Sequence, residues 1–379
     1  MAKALKNQSL TLRDKRQQEF ADIWLKEKHG ILNLCPRFGK IYTTINALEK
    51  LPLHSTILIA YPDVKIKDSW EADFEKRGYN NPNITYTTHL SLKKYVDFEF
   101  DVIIIDEIHL LSDAQLDAAN ELLEGNSCVL GLTGTLSGAT EREIEERLDL
   151  HVIATYPIDL AIQEGVIVDY EINVIRVPLD DVIEVQYKTK KRTEKKQFDS
   201  YAWVIDQLER QNRNTMFLRL GRMRIIQNSL SKLNATKALL KKHKDERILV
   251  FCGLTKIADE LGIPSYHSKS SEKQIFDDFA EGVGNHLAVV KIANTGITYK
   301  PLNKVIINYF DSNGENLAQK INRCMAMEYN TPDKKAHIYI ISSTEEVEAK
   351  WLKKALEFFD KNKIKKLCSD IQIPTGAYS

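Results

Sequence analysis

The stretch DVIIIDEIH, residues 101–109, decides the fold of this chain. Its four consecutive β-branched apolar residues predict a strand that is buried on both faces, and such strands belong to parallel sheets with helices on both sides. The acidic pair Asp106-Glu107 and then His109 follow at the carboxyl end of that strand. Ligands of open α/β sheets bind at this edge. The stretch therefore predicts a parallel α/β sheet with a polar site at one end.

Apolar runs of the same kind recur along the chain and alternate with helical patterns. The first series comprises Gly30–Leu34, Thr56–Ala60, Asn83–Tyr86, Asp101–Ile105 and Ser127–Leu132. The second series comprises Glu171–Val177, Arg247–Phe251, Leu287–Ile292, Lys304–Asn308 and Ala336–Ile341. Two series predict two α/β domains in tandem. The pattern breaks near residues 155–170, where Tyr156-Pro157 and Gly165 interrupt it.

We place the first domain at residues 1–160, the second at 161–345 and a C-terminal helical tail at 346–379. A basic helical insertion is expected in the second domain at about residues 186–240. Its candidate buried positions are Trp203, Leu208, Phe217, Leu220 and Ile225. The tail is predicted to be helical up to Lys366, because apolar residues recur at helical spacing. These residues are Trp351, Leu352, Ala355, Leu356 and Phe359.

The composition excludes several classes of protein. The 379 residues contain 53 basic and 53 acidic side chains, which argues against binding polyanions by bulk charge alone. No apolar run is long enough for a membrane span, and residues 1–10 do not resemble a signal peptide. The five cysteines lack the spacing of metal ligands, so we expect reduced thiols in a cytoplasmic protein.

The segment CPRFGK, residues 35–40, follows the first predicted strand and precedes a predicted helix at Ile41–Leu48. A strand, a tight loop, Gly-Lys and a helix form a phosphate-binding arrangement, in which loop N–H groups and the lysine face the anion. The candidate phosphate-binding residues are Pro36, Arg37, Phe38, Gly39, Lys40 and Ile41. The sequence departs from the usual pattern, because Leu34 replaces the first glycine and Ile41 replaces the Ser or Thr after the lysine.

Two further motifs complete the predicted site of the first domain. Asp106 is expected to hold Mg²⁺, with Glu107 beside it as a second candidate ligand and as the group that orients or deprotonates a water molecule. After the strand that ends at Leu132, the residues Thr133-Gly134-Thr135 place two hydroxyls at the same edge of the sheet. We expect those hydroxyls to bond the acidic pair and to relay the state of the bound nucleotide.

In this order, the motifs resemble those of superfamily 2 helicases of the DExH group, especially small phage-encoded helicases and the repair and restriction-type translocases. The resemblance covers residues 10–345 approximately and implies two tandem RecA-like domains that use ATP and Mg²⁺. Leu12-Arg13 with Gln17 or Gln18 resembles the glutamine motif that reads adenine in this family.

The resemblance also implies contacts to a nucleic-acid strand. The segment Ile57–Pro62 followed by Trp70, and the segment Thr87–Leu90, resemble motifs that grip the strand backbone. The candidate contact residues are Tyr61, Pro62, Thr87, Thr88, Thr133, Thr135 and Thr295. We interpret Trp70 as a core residue in preference to a base-stacking platform.

In the second domain, Arg247–Cys252 resembles the family's first strand motif, and Ala293–Thr298, with Gly296, resembles a motif that touches both nucleic acid and ATP. The segment 319–326 resembles Gln-x-x-Gly-Arg-x-x-Arg, which implies catalytic roles for Gln319 and Arg323. An arginine there would offset the charge that develops on the γ-phosphate. Asn322 and Ala326 replace the glycine and the second arginine of the motif.

A local excess of positive charge accompanies these motifs. Between Lys188 and Arg224 there are eleven basic and four acidic side chains. The Lys188–Lys196 run has two interpretations, which are a solvated loop and a second contact to duplex phosphates.

The expected function is an ATP-dependent helicase or translocase that acts as a monomer on single- or double-stranded nucleic acid. The resemblance favours DNA over RNA, and a bacterial or phage-infected cytoplasm over other settings, with no membrane partner. Ile41, Asn322 and Ala326 motivate one alternative, a hydrolysis-impaired scaffold that binds ATP and nucleic acid. A second alternative is an RNA-directed or strand-annealing motor.

Overall fold

The computed structural model describes residues 11–124, 128–187, 190–270, 274–290, 302–311, 314–325, 334–357 and 359–367. These residues form two compact units, which divide between Val168 and Asp169. The division lies eight residues beyond the boundary that the sequence predicts at 160/161. Each unit contains a parallel sheet with helices, so the predicted fold class of two tandem α/β domains is confirmed.

The first unit is built on six described strands, all parallel, in the order β3-β2-β4-β5-β1-β6. The strands are β1 (His29–Leu34), β2 (Ile57–Tyr61), β3 (Ile84–Thr88), β4 (Val102–Asp106), β5 (Val129–Thr133) and β6 (Val152–Tyr156). The α-helices are α1 (Leu12–Glu27), α2 (Lys40–Leu48), α3 (Lys65–Arg77), α4 (Asp113–Leu123), α5 (Gly138–Leu148) and α6 (Ile158–Gln163). The sequence analysis missed β6, which is only partly buried at the edge of the sheet.

The central strands of the first unit are buried on both faces. Every residue of β2, β4 and β5 is buried, as the continuous apolar runs predict. On one face, Ile103 and Ile105 of β4 join a core cluster with Leu116 and Leu122 of α4. This packing holds the carboxyl ends of β4 and β5 at one rigid edge, where the candidate site lies.

The second unit has a parallel sheet in the order β11-β12-β10-β13-β14-β7-β15 among the described residues. The strands of this sheet are β7 (Asp169–Val177), β10 (Ile248–Cys252), β11 (Ser265–Tyr266), β12 (His286–Val290), β13 (Lys304–Ile307), β14 (Lys335–Ser343) and β15 (Ile364–Leu367). Two further strands, β8 (Val185–Tyr187) and β9 (Lys190–Arg192), form a separate antiparallel pair. The α-helices of this unit are α7 (Glu194–Glu209), α8 (Met216–Gln227), α9 (Leu230–Lys242), α10 (Thr255–Glu260), α11 (Gln274–Glu281), α12 (Gly314–Ile321) and α13 (Glu346–Ala355).

The insertion in the second unit differs from its prediction. The pair β8–β9 and the helices α7 and α8 lie between β7 and α9, whereas Leu233 and Leu239 of α9 belong to the core of the sheet. The predicted buried positions Trp203, Phe217 and Leu220 are instead exposed, by 66%, 84% and 38%. The helices α7 and α8 pack on each other, and Phe198 and Ile226 join a small core cluster with Leu179, Val347 and Trp351, whereas the three exposed side chains lie outside it.

The C-terminal segment also differs from its prediction as a helix up to Lys366. The helix α13 ends at Ala355, and β15 then pairs in parallel with β7 in the sheet of the second unit. Phe359 is buried against Tyr170 of β7, with ring centroids 5.8 Å apart. Among the described residues, no helix is both long and apolar enough to cross a membrane.

A buried ion pair ties α9 to α13. Lys232 Nζ lies 2.6 Å from Glu348 Oε1, and the two side chains are 1% and 0% exposed. The other carboxylate oxygen of Glu348 accepts the Ser343 N–H at 2.6 Å. Because neither charge reaches water, each depends on its partner for solvation.

We expect Lys232→Met to destabilise the protein by about 3 kcal/mol, since it leaves the Glu348 carboxylate buried without a cation. Urea denaturation followed by circular dichroism measures this cost. Combining it with Glu348→Leu, which removes the stranded charge, should recover much of the loss. A single variant as stable as the wild type would show that the pair contributes little.

Candidate functional site

Three predicted motifs of the first unit meet at one edge of its sheet. The strands β1 and β4 both pair with β5, and all three run parallel. In this register Asn33 lies opposite Thr133, and Asp106 lies opposite Leu132. The loop after β1, the acidic pair after β4 and the threonines after β5 therefore leave the sheet side by side.

The loop between β1 and α2 is held in a specific conformation by Gln17 of α1. Arg37 and Gly39 have positive φ angles of 67° and 104°. The buried Gln17 amide donates from Nε2 to the Phe38 carbonyl at 2.8 Å. The φ angle of Gly39 is one that residues with a side chain rarely adopt, and a Cβ there would also displace that Nε2 atom, which lies 2.4 Å from its position.

This contact also distinguishes Gln17 from Gln18, the two residues that the sequence leaves open as the glutamine of the adenine motif. Gln17 reaches the loop, whereas Gln18 bonds Asp22 within α1 at 3.2 Å. The loop then enters α2 at Lys40, so the free N–H groups of the first helical turn lie at the site.

Lys40 lies against the acidic pair. Its Nζ atom is 2.5 Å from Glu107 Oε1 and 3.9 Å from Asp106 Oδ1. Burial lowers the pKa of Lys40, but the charges of Glu107 and Asp106 outweigh this effect and raise it above its ordinary value. Burial raises the pKa of Asp106 to about 6 against the opposing effect of Lys40. The direct partner of the lysine is therefore Glu107, and Asp106 is left with a weaker interaction.

The two carboxylate oxygens of Asp106 have different surroundings. Oδ2 accepts the indole N–H of Trp70 at 3.2 Å, whereas Oδ1 is buried without a hydrogen-bond partner among the described residues. A buried carboxylate oxygen without a donor suits a cation. Mg²⁺ commonly takes one or two carboxylates and fills its remaining positions with water and phosphate. Asp106 therefore fits the predicted magnesium ligand.

Glu107 has a conformation that is rare for a non-glycine residue. Its φ and ψ angles of 51° and 48° place it in the left-handed region, at the point where β4 turns into a short 3₁₀ helix. Such backbone strain persists where the surrounding structure enforces it, and it is frequent at functional sites. Burial raises the pKa of Glu107, but Lys40 and His109 reverse the shift, so that the pKa lies below its ordinary value.

His109 connects Glu107 to the motif after β5. Its Nδ1 atom lies 2.8 Å from Thr133 Oγ1 and 3.5 Å from Glu107 Oε2. Burial lowers the pKa of His109 to about 4, so the ring is neutral at neutral pH. Thr133 is fully buried and its hydroxyl also bonds the Thr135 carbonyl at 3.2 Å. Thr133 is therefore not accessible to a nucleic-acid strand, although the sequence analysis names it as a contact.

The candidate strand-contact segments lie at the same edge. Tyr61 ends β2 and Thr88 ends β3, and these two residues pair in the register of the sheet. Tyr61, Thr87 and Thr135 are buried, whereas Pro62 and Thr88 are partly exposed.

The residue after Thr88 adds a contact to the acidic pair. His89 Nε2 lies 2.9 Å from the main-chain oxygen of Asp106, and the ring is buried. Burial lowers the pKa of His89 to about 4. The segment that starts at Thr87 is therefore joined directly to the candidate metal ligand.

No hydroxyl at the start of α2 substitutes for the Ser or Thr that Ile41 replaces. Thr43 and Thr44 are fully buried, and their hydroxyls donate to the carbonyls of Gly39 and Lys40 at 3.2 and 3.0 Å. Within the described residues, no group of three or more His, Cys, Asp and Glu side chains could hold a metal ion. Any magnesium at Asp106 would thus take most of its ligands from phosphate and water.

Part of the predicted site lies in the second unit. Gln319 lies on α12, and Arg323 lies in a 3₁₀ helix at Asn322–Cys324, where Asn322 and Arg323 are both buried. Thr295, Gly296 and Ala326 lie outside the described residues.

Sequence reasoning missed three side chains that organise the site. Trp70 reads as a core residue, and its burial confirms this, but its bond to Asp106 has no signature in the sequence. His89 and His109 occur within the quoted motifs, yet nothing in their spacing shows which atoms they contact. Their proximity to the predicted motifs is the one signal that could have drawn attention to them.

Comparisons with known proteins agree with this architecture. Residues 231–327 match the helicase conserved C-terminal domain. The chain is 22% identical over 326 residues to the DNA 3'-5' translocase XPB2 of Sulfurisphaera tokodaii, a match that covers 76% of this chain and 72% of that protein.

Solved structures share the fold of both units. Dbp5 of S. cerevisiae, bound to RNA and ADP BeF3, has a TM-score of 0.62 at 10% identity and covers 93% of this chain and 89% of its own. The helicase domain of Hef from Pyrococcus furiosus has a TM-score of 0.51 at 13% identity and covers 91% of this chain and 99% of its own. The two units therefore have the fold of tandem RecA-like domains. The chain is thus similar to helicases in two ways, through the C-terminal domain match at residues 231–327 and through the distant similarity to a translocase.

Proposed function

We propose that the protein is an ATP-dependent nucleic-acid motor of the DExH type, which acts on DNA as a monomer. The observation that carries the proposal is the meeting of Lys40, Asp106 and Glu107 at one sheet edge, beside the loop that leads into α2. The N-terminus of a helix, a lysine and two carboxylates are groups that hydrolysis of a nucleoside triphosphate uses.

The triphosphate would bind at the loop 36–39 and the first turn of α2, where N–H groups and the helix dipole favour an anion. The Lys40 ammonium group would then leave Glu107 and bind the phosphates, because it cannot form a close ion pair with both at once. This exchange would leave the Glu107 carboxylate free to orient or deprotonate the attacking water. Magnesium, held by Asp106, would neutralise part of the phosphate charge.

The link from Glu107 through His109 to Thr133 would report the nucleotide state to the loop after β5. His109 Nδ1 lies 2.8 Å from Thr133 Oγ1 and 3.5 Å from Glu107 Oε2, so a shift of Glu107 would reach Thr133 through this ring. We therefore assign the fully buried Thr133 to the relay. Pro62 and Thr88, which are partly exposed, and Thr295 stay candidate strand contacts. Tyr61, Thr87 and Thr135 are buried and would reach a strand only after this edge of the sheet changes.

From the family resemblance we assign Arg323 of the second unit to the γ-phosphate, and we keep Gln319 and Gly296 as candidate site residues. Arginines delivered in this way stabilise charge in the transition state. Closure of two RecA-like domains on ATP, followed by reopening after hydrolysis, would move the strand contacts along the backbone.

The similarity to XPB2, which is named as a DNA translocase, favours DNA as the track. The likeness to the structure of Dbp5 bound to RNA keeps RNA as the second candidate. Phosphate contacts dominate in either case, so we expect weak sequence preference.

Phosphate release measured with and without a single strand tests the proposal. We expect slow release from the protein alone and a several-fold increase on adding DNA, with a smaller increase on adding RNA of the same sequence. No release above background with either strand, at saturating ATP and Mg²⁺, would exclude the motor.

One observation favours a second candidate, a scaffold that binds ATP and nucleic acid without turnover. Ile41 removes a hydroxyl ligand for the metal, and neither Thr43 nor Thr44 substitutes for it. The same assay separates the two candidates, because a scaffold would retain ATP in an equilibrium binding measurement and release no phosphate.

A further inference from the structure

Each of the two candidate strand-contact segments of the first unit, at Tyr61-Pro62 and at Thr87-Thr88, is followed by a residue that forms a hydrogen bond with Asp106. After Tyr61 and Pro62 the chain enters α3, whose Trp70 bonds the Asp106 carboxylate. After Thr87 and Thr88 comes His89, whose ring bonds the main-chain oxygen of Asp106. One acidic residue is thus held by the two segments proposed to touch nucleic acid.

The bond from Trp70 determines which oxygen of Asp106 remains available. The indole occupies Oδ2 at 3.2 Å and leaves Oδ1 buried without a donor among the described residues. Lys40 Nζ is 3.9 Å from Oδ1 but only 2.5 Å from Glu107 Oε1. Without the indole N–H, the carboxylate could turn towards the lysine and form a closer ion pair, which would close the metal position.

We propose that Trp70 is a positioning residue, whose indole N–H holds Asp106 with Oδ1 directed to the metal and couples strand binding at the start of α3 to that geometry. The inference rests on the proposed function and extends it. Because Trp70 is fully buried, a strand cannot touch its ring, and the residue acts through Asp106. Hydrogen-bond partners of metal ligands typically change metal affinity by about 10- to 100-fold when they are removed.

Trp70→Phe tests the inference, because phenylalanine keeps an aromatic ring in the core and removes the N–H donor. Trp24→Phe is its matched control. Trp24 is also fully buried in the first unit and donates its indole N–H at 2.9 Å, but to the Val129 carbonyl. Both variants lose one buried indole hydrogen bond, and only one of them loses a bond to Asp106.

The measurement is the affinity for a fluorescent ATP analogue, in Mg²⁺ and in excess EDTA. For Trp70→Phe we expect affinity in Mg²⁺ to fall by about 10-fold, with affinity in EDTA unchanged. Added single strand should also raise the Mg²⁺-dependent affinity less than it does in the wild type. Trp24→Phe should behave as the wild type in both buffers.

If the two variants bind alike while the wild type shows Mg²⁺-dependent binding, the role of Trp70 is excluded and the motor proposal stands. If the wild type itself binds no nucleotide, both proposals fall.

If Trp70→Phe does not fold, a second variant has phenylalanine in place of Trp24, Trp203 and Trp351 and keeps Trp70 as its one tryptophan. Its emission should then change when Mg²⁺ and ADP are added together but not with ADP in EDTA, and an unchanged spectrum would overturn the inference.

Discussion

Replacing Glu107 by glutamine is expected to lower strand-stimulated phosphate release by about 10³-fold, within the range that a general base contributes. Glutamine keeps the size of the side chain and can still accept a bond from Lys40, but it cannot take a proton from water. The pKa of Glu107 lies below its ordinary value, chiefly because the charge of Lys40 overcomes the effect of burial, so the wild-type side chain is charged at neutral pH. Steady-state turnover at saturating ATP, Mg²⁺ and single strand measures the effect.

The matched control is Glu121→Gln, which makes the same chemical change on the exposed face of α4. It should turn over at the wild-type rate. Nucleotide binding by Glu107→Gln should remain, because the loop, Lys40 and Asp106 are intact. Turnover unchanged by Glu107→Gln would remove the hydrolysis hypothesis and favour another role for the acidic pair.

Replacing Arg323 by alanine is expected to lower phosphate release by about 10³-fold or more, with little change in nucleotide affinity. The proposed arginine contributes in the transition state, where charge accumulates on the γ-phosphate oxygens, and contributes less to the bound ground state. Arg323→Lys should recover only part of the rate, since an ammonium group lacks the planar donor geometry of guanidinium. Single-turnover hydrolysis and equilibrium binding, measured on the same samples, separate the two contributions.

Arg247→Ala is the matched control for Arg323→Ala. Arg247 is a second-unit arginine with extensive contacts, whose guanidinium lies 4.4 Å from the Phe279 ring centroid and whose Nε donates to the Gly284 carbonyl at 3.1 Å. It precedes β10, at the amino end of that strand and away from the carboxyl edge. Wild-type hydrolysis by Arg323→Ala would contradict the proposed role, and equal losses in both arginine variants would indicate a general effect on folding.

Local sequence predicted the central strands of both sheets, but not the edge strands β6, β11 and β15. Uninterrupted β-branched runs such as residues 102–105 predict strands that need burial on both faces, and all of β4 is buried in the structure. The positions of the loop, the acidic pair and the threonines followed from the same reasoning, because parallel strands bring their carboxyl ends to one edge. Boundaries shifted by one or two residues, which does not move a motif from that edge.

Burial along the insertion and the tail could not be predicted from local sequence. Trp203 and Phe217 fall at helical spacing, yet they are exposed, and the core cluster of α7 and α8 is built from Phe198 and Ile226 instead. The lysine-rich segment 364–367 forms a strand because it lies beside β7, a neighbour almost two hundred positions earlier in the chain. Hydrophobic periodicity predicts which face of a helix or strand is apolar, but it does not predict which other element packs against that face.

The sequence by itself determined the fold class and the residue types of the candidate site, because propensity and hydrophobic pattern act over a few neighbouring residues. Tertiary structure alone decided which atoms meet: Gln17 with the Phe38 carbonyl, Trp70 with one oxygen of Asp106, and Lys40 with Glu107 more closely than with Asp106. Those pairings depend on distances of a few tenths of an ångström between elements that are far apart in the chain. Hydrogen bonds and ion pairs change strength over such distances, and no spacing along the sequence specifies them.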